Sequence, residues 1–203
     1  MPKIIKGAPK KRNAFSAQNF NVCIFCGSNP GKDPYYKAEA VKLAKGLAAM
    51  EAGLVYGGAS VGIMGMLADT VLAEGGKVFG VIPEALKQKE VAHAGLTELR
   101  VVKTMHERKK LMFDFTDVFL TFPGGFGTLD ETFEIITWKQ IGIHQKPLIF
   151  LDIQGFYKPL IDFIDKAVAD GFIKPEHRQL FQVAKGAEEA LQLVDASRRA
   201  ALP

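Results

Sequence analysis

From Asn21 onward the chain alternates short apolar runs with longer stretches in which apolar residues recur at every third and fourth position. The runs at 21–25, 54–56, 77–82, 98–102, 118–121 and 147–151 have the length and continuity of strands buried on both faces. The stretches at 36–50, 62–74, 104–115, 128–141 and 156–170 carry the period of amphipathic helices, and a last one at 187–197 closes the chain. Alternation of this kind predicts an α/β three-layer sandwich, with a mostly parallel central sheet and helices on both faces. Parallel strands require right-handed crossovers, and a ligand site then belongs beyond their carboxyl ends. The 203 residues contain no internal repeat or long linker, so residues 20–203 are expected to form one domain.

Composition narrows the class. Apolar residues at 48% and charged residues at 24% exclude a largely disordered chain. The net charge of +4 is local: Lys3, Lys6, Lys10, Lys11 and Arg12 lie in the first 20 residues with no acid among them, and the remainder is close to neutral. Residues 1–19 are therefore expected to be a basic, disordered arm, and a nucleic-acid partner would rest on that arm alone. The arm lacks the apolar core of a secretory signal, and the uncharged stretch that comes nearest to a membrane span, 53–68, holds five glycines and is too short to cross a bilayer. Two cysteines, Cys23 and Cys26, exclude a disulfide scaffold and suit a reducing compartment. The expectation is a cytoplasmic protein with no membrane partner.

Three loops just after expected strands are rich in glycine: Phe25-Cys-Gly-Ser-Asn-Pro-Gly31, Tyr56-Gly-Gly-Ala-Ser-Val-Gly-Ile-Met-Gly65, and Phe122-Pro-Gly-Gly-Phe-Gly-Thr-Leu-Asp-Glu131. Glycine lets backbone amides approach a ligand, and a helix start adds partial positive charge, so such loops can cradle phosphate. Gly27, Ser28, Gly57 and Gly58 are candidate phosphate or ribose contacts. The spacing is neither G-x-G-x-x-G after the first strand nor a P-loop, which points to a mononucleotide or sugar phosphate.

Two charged residues stand beside these loops. Glu131 reads either as a carboxylate held against bound sugar and phosphate, or as the acidic member of a capping box begun by Thr128. Arg108 can bridge a phosphate or face the substrate, since its forked donors suit oxyanions. Lys109 and Lys110 read more as a solvent-facing helix, and His106 as structural. Cys23 and Cys26 read as buried fillers, Met64 and Met66 as packing, and Trp138 as core or subunit contact. His93, His106, His144 and His177 make no tight ligand set, so neither a metal nor another cofactor is expected.

Pro123-Gly-Gly-Phe-Gly-Thr-Leu-Asp-Glu131 matches P-G-G-x-G-T-x-x-E, with Arg108-Lys109 upstream. Together with Val22-Cys-Ile-Phe-Cys-Gly-Ser28, Tyr56-Gly-Gly, Gly62-Ile-Met-Gly65, Gly80-Val-Ile-Pro83 and Gly142-Ile-His-Gln-Lys-Pro147, it resembles the LOG family of cytokinin riboside 5′-monophosphate phosphoribohydrolases, once labelled lysine decarboxylases. The resemblance spans about 21–196; Ala59 stands where a glycine is common. It implies a Rossmann-like nucleotide-binding domain, and a homodimer with its site near the subunit contact. It also implies cleavage of the N-glycosidic bond of AMP or N6-isoprenyl-AMP to base and ribose 5-phosphate. Arg108 and Glu131 fall on the family's catalytic positions. Glu90, Arg108, Lys109, Gly124, Gly125, Phe126, Gly127, Thr128, Leu129 and Asp130 fall on its substrate-binding positions. A plain AMP nucleosidase and a non-catalytic nucleotide-binding module are the alternatives.

Overall fold

The computed structural model describes residues 3–6, 20–87 and 91–201. In chain order the elements are β1 (Lys3–Lys6), β2 (Asn21–Phe25), α1 (Pro34–Ala49), β3 (Gly53–Tyr56), α2 (Gly62–Ala73), β4 (Val78–Pro83) and the single turn α3 (Glu84–Lys87). There follow β5 (Glu98–Val102), α4 (Met105–Asp114), β6 (Val118–Thr121), α5 (Phe126–Gln140), β7 (Leu148–Leu151), α6 (Lys158–Ala169), β8 (Gln182–Ala184) and α7 (Ala187–Ala201). Local chemistry explains several starts. Asp33 accepts the Tyr35 amide at 2.8 Å and Pro34 opens α1. Thr104 accepts the Glu107 amide at 3.1 Å while Glu107 reaches back to the Lys103 amide at 2.8 Å, so a capping-box exchange opens α4.

All strand pairings are parallel, and the order across the sheet is β1-β5-β4-β3-β2-β6-β7-β8. From β2 the chain winds outward through β3, β4 and β5, then returns to β6 on the other flank of β2. The winding direction therefore reverses between β2 and β6, and the crevice beyond their carboxyl ends is where such a fold binds ligands. Side chains alternate between two buried layers. Val22 and Ile24 of β2 pack with Leu43 and Leu47 of α1, Leu67 of α2 and Val194 of α7 on one face. Cys23 and Phe25 pack with Leu111 and Met112 of α4, Ile135 of α5 and Ile164 of α6 on the other. Burial on both faces is why the central strands β3, β4, β6 and β7 read as continuous apolar runs rather than alternating ones.

The structure departs from the sequence reading in several places. Lys3–Lys6, expected within a disordered arm, lie as an edge strand beside β5, and residues 7–19 are outside the described residues. β8 does not stand out in the sequence, because Gln182-Val-Ala184 is only three residues long and opens on an exposed glutamine, as an edge permits. Helix α5 begins at Phe126 rather than 128.

Long-range ties lock the layers. The buried Glu39 carboxylate of α1 accepts the Ala187 amide at 2.6 Å, capping α7 from across the fold. Beyond α5, His144 packs edge-on against Phe113, presents Nε2 to the Ile135 carbonyl at 3.0 Å and accepts the Lys146 amide on Nδ1 at 3.1 Å. That geometry calls for the neutral ring, and burial lowers the His144 pKa from its usual value. Below about pH 6.5, where an unfolded histidine gains its proton, the unfolded chain binds the proton more readily. Stability is then lost as pH falls through that value toward the lower folded one. The thermal midpoint of the wild type should fall more steeply between pH 7 and pH 5 than that of His144→Gln; equal slopes would assign the loss to other groups.

Candidate functional site

A cleft of about 460 Å³ opens at the carboxyl ends of the strands, where the winding reverses. The loop after β2 contributes Gly27, Ser28 and Asn29, β3 leads into Gly57, and the turn after β6 contributes Pro123, Gly124 and Gly125. Phe126, Gly127 and Thr128 of the first turn of α5 complete this wall. Gly125 is the N-cap of α5, with no side chain bonded to the helix start. The first amides of a helix have no intrahelical acceptor, so those of α5 are available to an anion entering the cleft.

The loops meet backbone to backbone. A Cβ at Gly124 would stand 2.2 Å from Thr128 Oγ1 and 2.9 Å from the Gly27 amide nitrogen. Gly62 has φ +62°, and a Cβ there would stand 2.2 Å from the Ser28 carbonyl oxygen. Below the cradle, Thr121 Oγ1 meets Thr132 Oγ1 at 2.9 Å, and Thr132 donates to the Thr128 carbonyl at 2.7 Å. Tyr157 donates to the Phe122 carbonyl at 2.9 Å, so buried hydroxyls hold the turn after β6 from beneath.

Arg108 and Glu131 form an ion pair, Nη1 to Oε1 at 3.2 Å, and each residue is 7% exposed. Arg108 also donates Nε to the Val81 carbonyl of β4 at 3.2 Å. Glu131 lies in the second turn of α5, so it does not cap that helix; the capping box sits on α4 at Thr104 and Glu107. The guanidinium and the carboxylate both line the cleft, and they are its only charged side chains among the described residues. Such a pair offers an anion and a fork of donors in a place mostly walled off from water.

Of the other sequence candidates, Gly27, Ser28, Gly57 and the stretch 124–128 line the cleft. Gly58, Leu129 and Asp130 are not part of its lining. Lys109 is held away from it, between Asp130 and Glu134 of α5 at 3.2 Å each, as a strut joining α4 to α5. Those two carboxylates raise its pKa against an opposing desolvation effect. Glu90 lies outside the described residues. The cleft also enlists Asn29, Tyr36, Met64 and Phe156, which the sequence did not single out for ligand contact; Met64 read as packing. Tyr36 and Phe156 meet edge-on at 6.0 Å, a pairing invisible in sequence because 120 positions separate them.

Cys26 borders the cleft, but burial and the nearby Glu131 carboxylate push its thiol far above the ordinary range. Cys23 is shifted the same way, chiefly by burial. Neither is a thiolate near neutral pH. Trp138 stacks edge-on with Phe113 at 5.2 Å in the α4–α5 layer. Among the described residues no cluster of His, Cys, Asp or Glu could hold a metal ion, and no helix is long and apolar enough to cross a membrane.

Comparison with known proteins places this geometry. A family described as possible lysine decarboxylase matches residues 64–194. A probable cytokinin riboside 5′-monophosphate phosphoribohydrolase of Oryza sativa subsp. japonica is 51% identical over 166 residues, 82% of this chain and 73% of that protein. A cytokinin riboside 5′-monophosphate phosphoribohydrolase of Arabidopsis thaliana is 46% identical over 175 residues, 86% of this chain and 77% of that protein. Among solved structures, the molybdenum cofactor carrier protein of Chlamydomonas reinhardtii superposes with a TM-score of 0.69 at 19% identity, covering 90% of this chain and 99% of that one. At that identity the likeness speaks for the α/β fold alone.

Proposed function

The chain belongs to the LOG family of cytokinin riboside 5′-monophosphate phosphoribohydrolases, and from that premise we propose that its cleft hydrolyses the N-glycosidic bond of a purine nucleoside 5′-monophosphate with Arg108 and Glu131 as the reactive pair. The observation that carries the assignment of residues is the buried Arg108–Glu131 contact beside the open start of α5. The 5′-phosphate sits on the amides at 125–128 and on the Gly27–Ser28 turn, which brings the ribose toward Glu131. As the bond from C1′ to the base breaks, positive charge develops on the sugar, and the carboxylate stabilises it. Glu131 also orients the water that attacks C1′; its oxygen joins the sugar and a proton leaves with the base. Arg108 holds ribose and carboxylate in register.

Decarboxylation of lysine fits this cleft poorly. Among the described residues no lysine lines it, so no side-chain amine stands there to form a Schiff base. The helix start favours an anion, whereas lysine brings an ammonium group.

The test is release of free base, followed by chromatography, from isopentenyl-AMP, AMP, GMP and CMP and from the matching nucleosides. Purine monophosphates should turn over, and removal of the phosphate should lower kcat/KM by about 10²-fold or more, since remote binding energy is lost in the transition state. Equal rates with and without phosphate would remove the cradle from the reading. Comparable rates on AMP and isopentenyl-AMP would favour a plain AMP nucleosidase.

A homodimer is the assembly we propose. Ile141 and Ile143, 64% and 58% exposed, continue α5 past its end, and Phe133 and Met105 are exposed on α5 and α4. Apolar side chains gathered at one helix pair suit a subunit contact. Light scattering should give twice the chain mass, and Ile141→Asp should shift it toward the monomer.

A further inference from the structure

Gly57 follows β3 and belongs to the second glycine-rich loop, where the sequence suggests a contact to phosphate or ribose. We propose instead that Gly57 is a positioning residue: its bare Cα is the seat on which the Arg108 guanidinium lies, and it sets the place from which that guanidinium meets Glu131. The inference rests on the reading of Arg108 and Glu131 as the reactive pair.

A Cβ at Gly57 would stand 2.2 Å from Arg108 Nη2 and 3.4 Å from its Cζ, with Met64 Sδ at 3.1 Å. No methyl group fits there while the arginine keeps its place. The same guanidinium is held on two further sides, by the Val81 carbonyl of β4 at 3.2 Å and by the Glu131 carboxylate of α5 at 3.2 Å. Contacts from β3, β4 and α5 thus fix the planar group, and lifting it off Gly57 must lengthen one of its two polar contacts. The adjacent Gly58 does a different job. It has φ +81°, and a Cβ there would crowd Leu99, Ile82 and the Val81 amide nitrogen, so it serves the packing of the sheet. At Gly57 the atom in the way is the tip of a long, flexible side chain rather than backbone. Alanine at this position therefore leaves the fold intact and moves the guanidinium.

The test compares Gly57→Ala, Arg108→Ala and the double variant. Gly57→Ala should lower kcat on isopentenyl-AMP by about 10²-fold, the scale expected when a reacting group is displaced by about an ångström. Inhibition by inorganic phosphate, which probes the cradle of α5 and the Gly27–Ser28 turn without the sugar, should stay within about twofold of wild type, as for independent sites. Any cost of Gly57→Ala to the melting midpoint should shrink to the small part owed to Met64 Sδ in the Arg108→Ala background, because the main colliding group is gone. An unchanged kcat overturns the proposal. So does a parallel loss of phosphate inhibition, which would return Gly57 to the ligand, and so does an equal melting cost in both backgrounds or a double variant that does not fold. Wild-type turnover in Arg108→Ala would instead defeat the reading of the reactive pair, while the melting comparison would still judge the seat.

Discussion

Glu131→Gln is expected to lower kcat by about 10²–10³-fold, the loss typical of removing one electrostatic stabiliser of a transition state. Glutamine keeps the shape and most of the hydrogen bonding but cannot balance positive charge on the ribose or polarise the attacking water. Nucleotide affinity should change far less, because the α5 amides proposed to hold the phosphate are untouched. The same substitution leaves the Arg108 guanidinium, 7% exposed, without its counter-charge. Breaking a buried pair by removing one partner costs about 3–5 kcal/mol, so the melting midpoint should drop as well. Rates must therefore be read well below that midpoint. Wild-type kcat in a folded Glu131→Gln protein would make the carboxylate a structural partner of Arg108 and nothing more.

Gly124→Ala should act on the other half of the substrate. Its added methyl group would press on Thr128 Oγ1 at 2.2 Å and on the Gly27 amide nitrogen at 2.9 Å, so the turn after β6 and the loop after β2 must separate. Thr128 is β-branched and lies in the first turn of α5, with little freedom to yield. The amides at 125–128 then lose their common aim, and KM for the nucleotide should rise by about 10²-fold. Inorganic phosphate should fail to inhibit this variant, which distinguishes it from Glu131→Gln. Retained phosphate inhibition would show that the cradle does not depend on the close approach of Gly124 to Gly27.

Much of the architecture is legible in the order of residues. The strands β3, β4, β6 and β7, and β2 after its first residue, are visible because sheets covered on both faces require unbroken apolar runs, whereas β5 carries Glu98 and Arg100 and is marked by its length and its place in the alternation. What escaped was governed by less than a full apolar face. β8 buries only Ala184 fully, and β1 is an edge carrying two lysines. Thr128-Leu-Asp-Glu131 satisfies the four-letter pattern of a capping box, yet the N-cap of α5 is Gly125, three residues before Thr128, which leaves Glu131 one turn inside the helix. The exchange that pattern describes occurs instead at Thr104–Glu107, the segment that presents Arg108. Local pattern alone could not choose between those helices, since the choice depended on where the turn after β6 released the chain.

Residue order along the chain determined the α/β class, the parallel sheet, the glycine-rich loops at one edge and the motif that carries family membership. Each follows from short-range periodicity or from a contiguous string of residues. Tertiary structure decided which candidates share a cleft. Arg108 and Glu131 meet because α4 and α5 pack on the same face of the sheet, whereas Lys109, the next residue, is turned to a strut between Asp130 and Glu134. Successive helical residues point about 100° apart, so one enters the cleft while its neighbour cannot. Gly57 likewise reads as a ligand contact in sequence and as the bed of a guanidinium in space, because only folding lays Arg108 of α4 over the turn that follows β3.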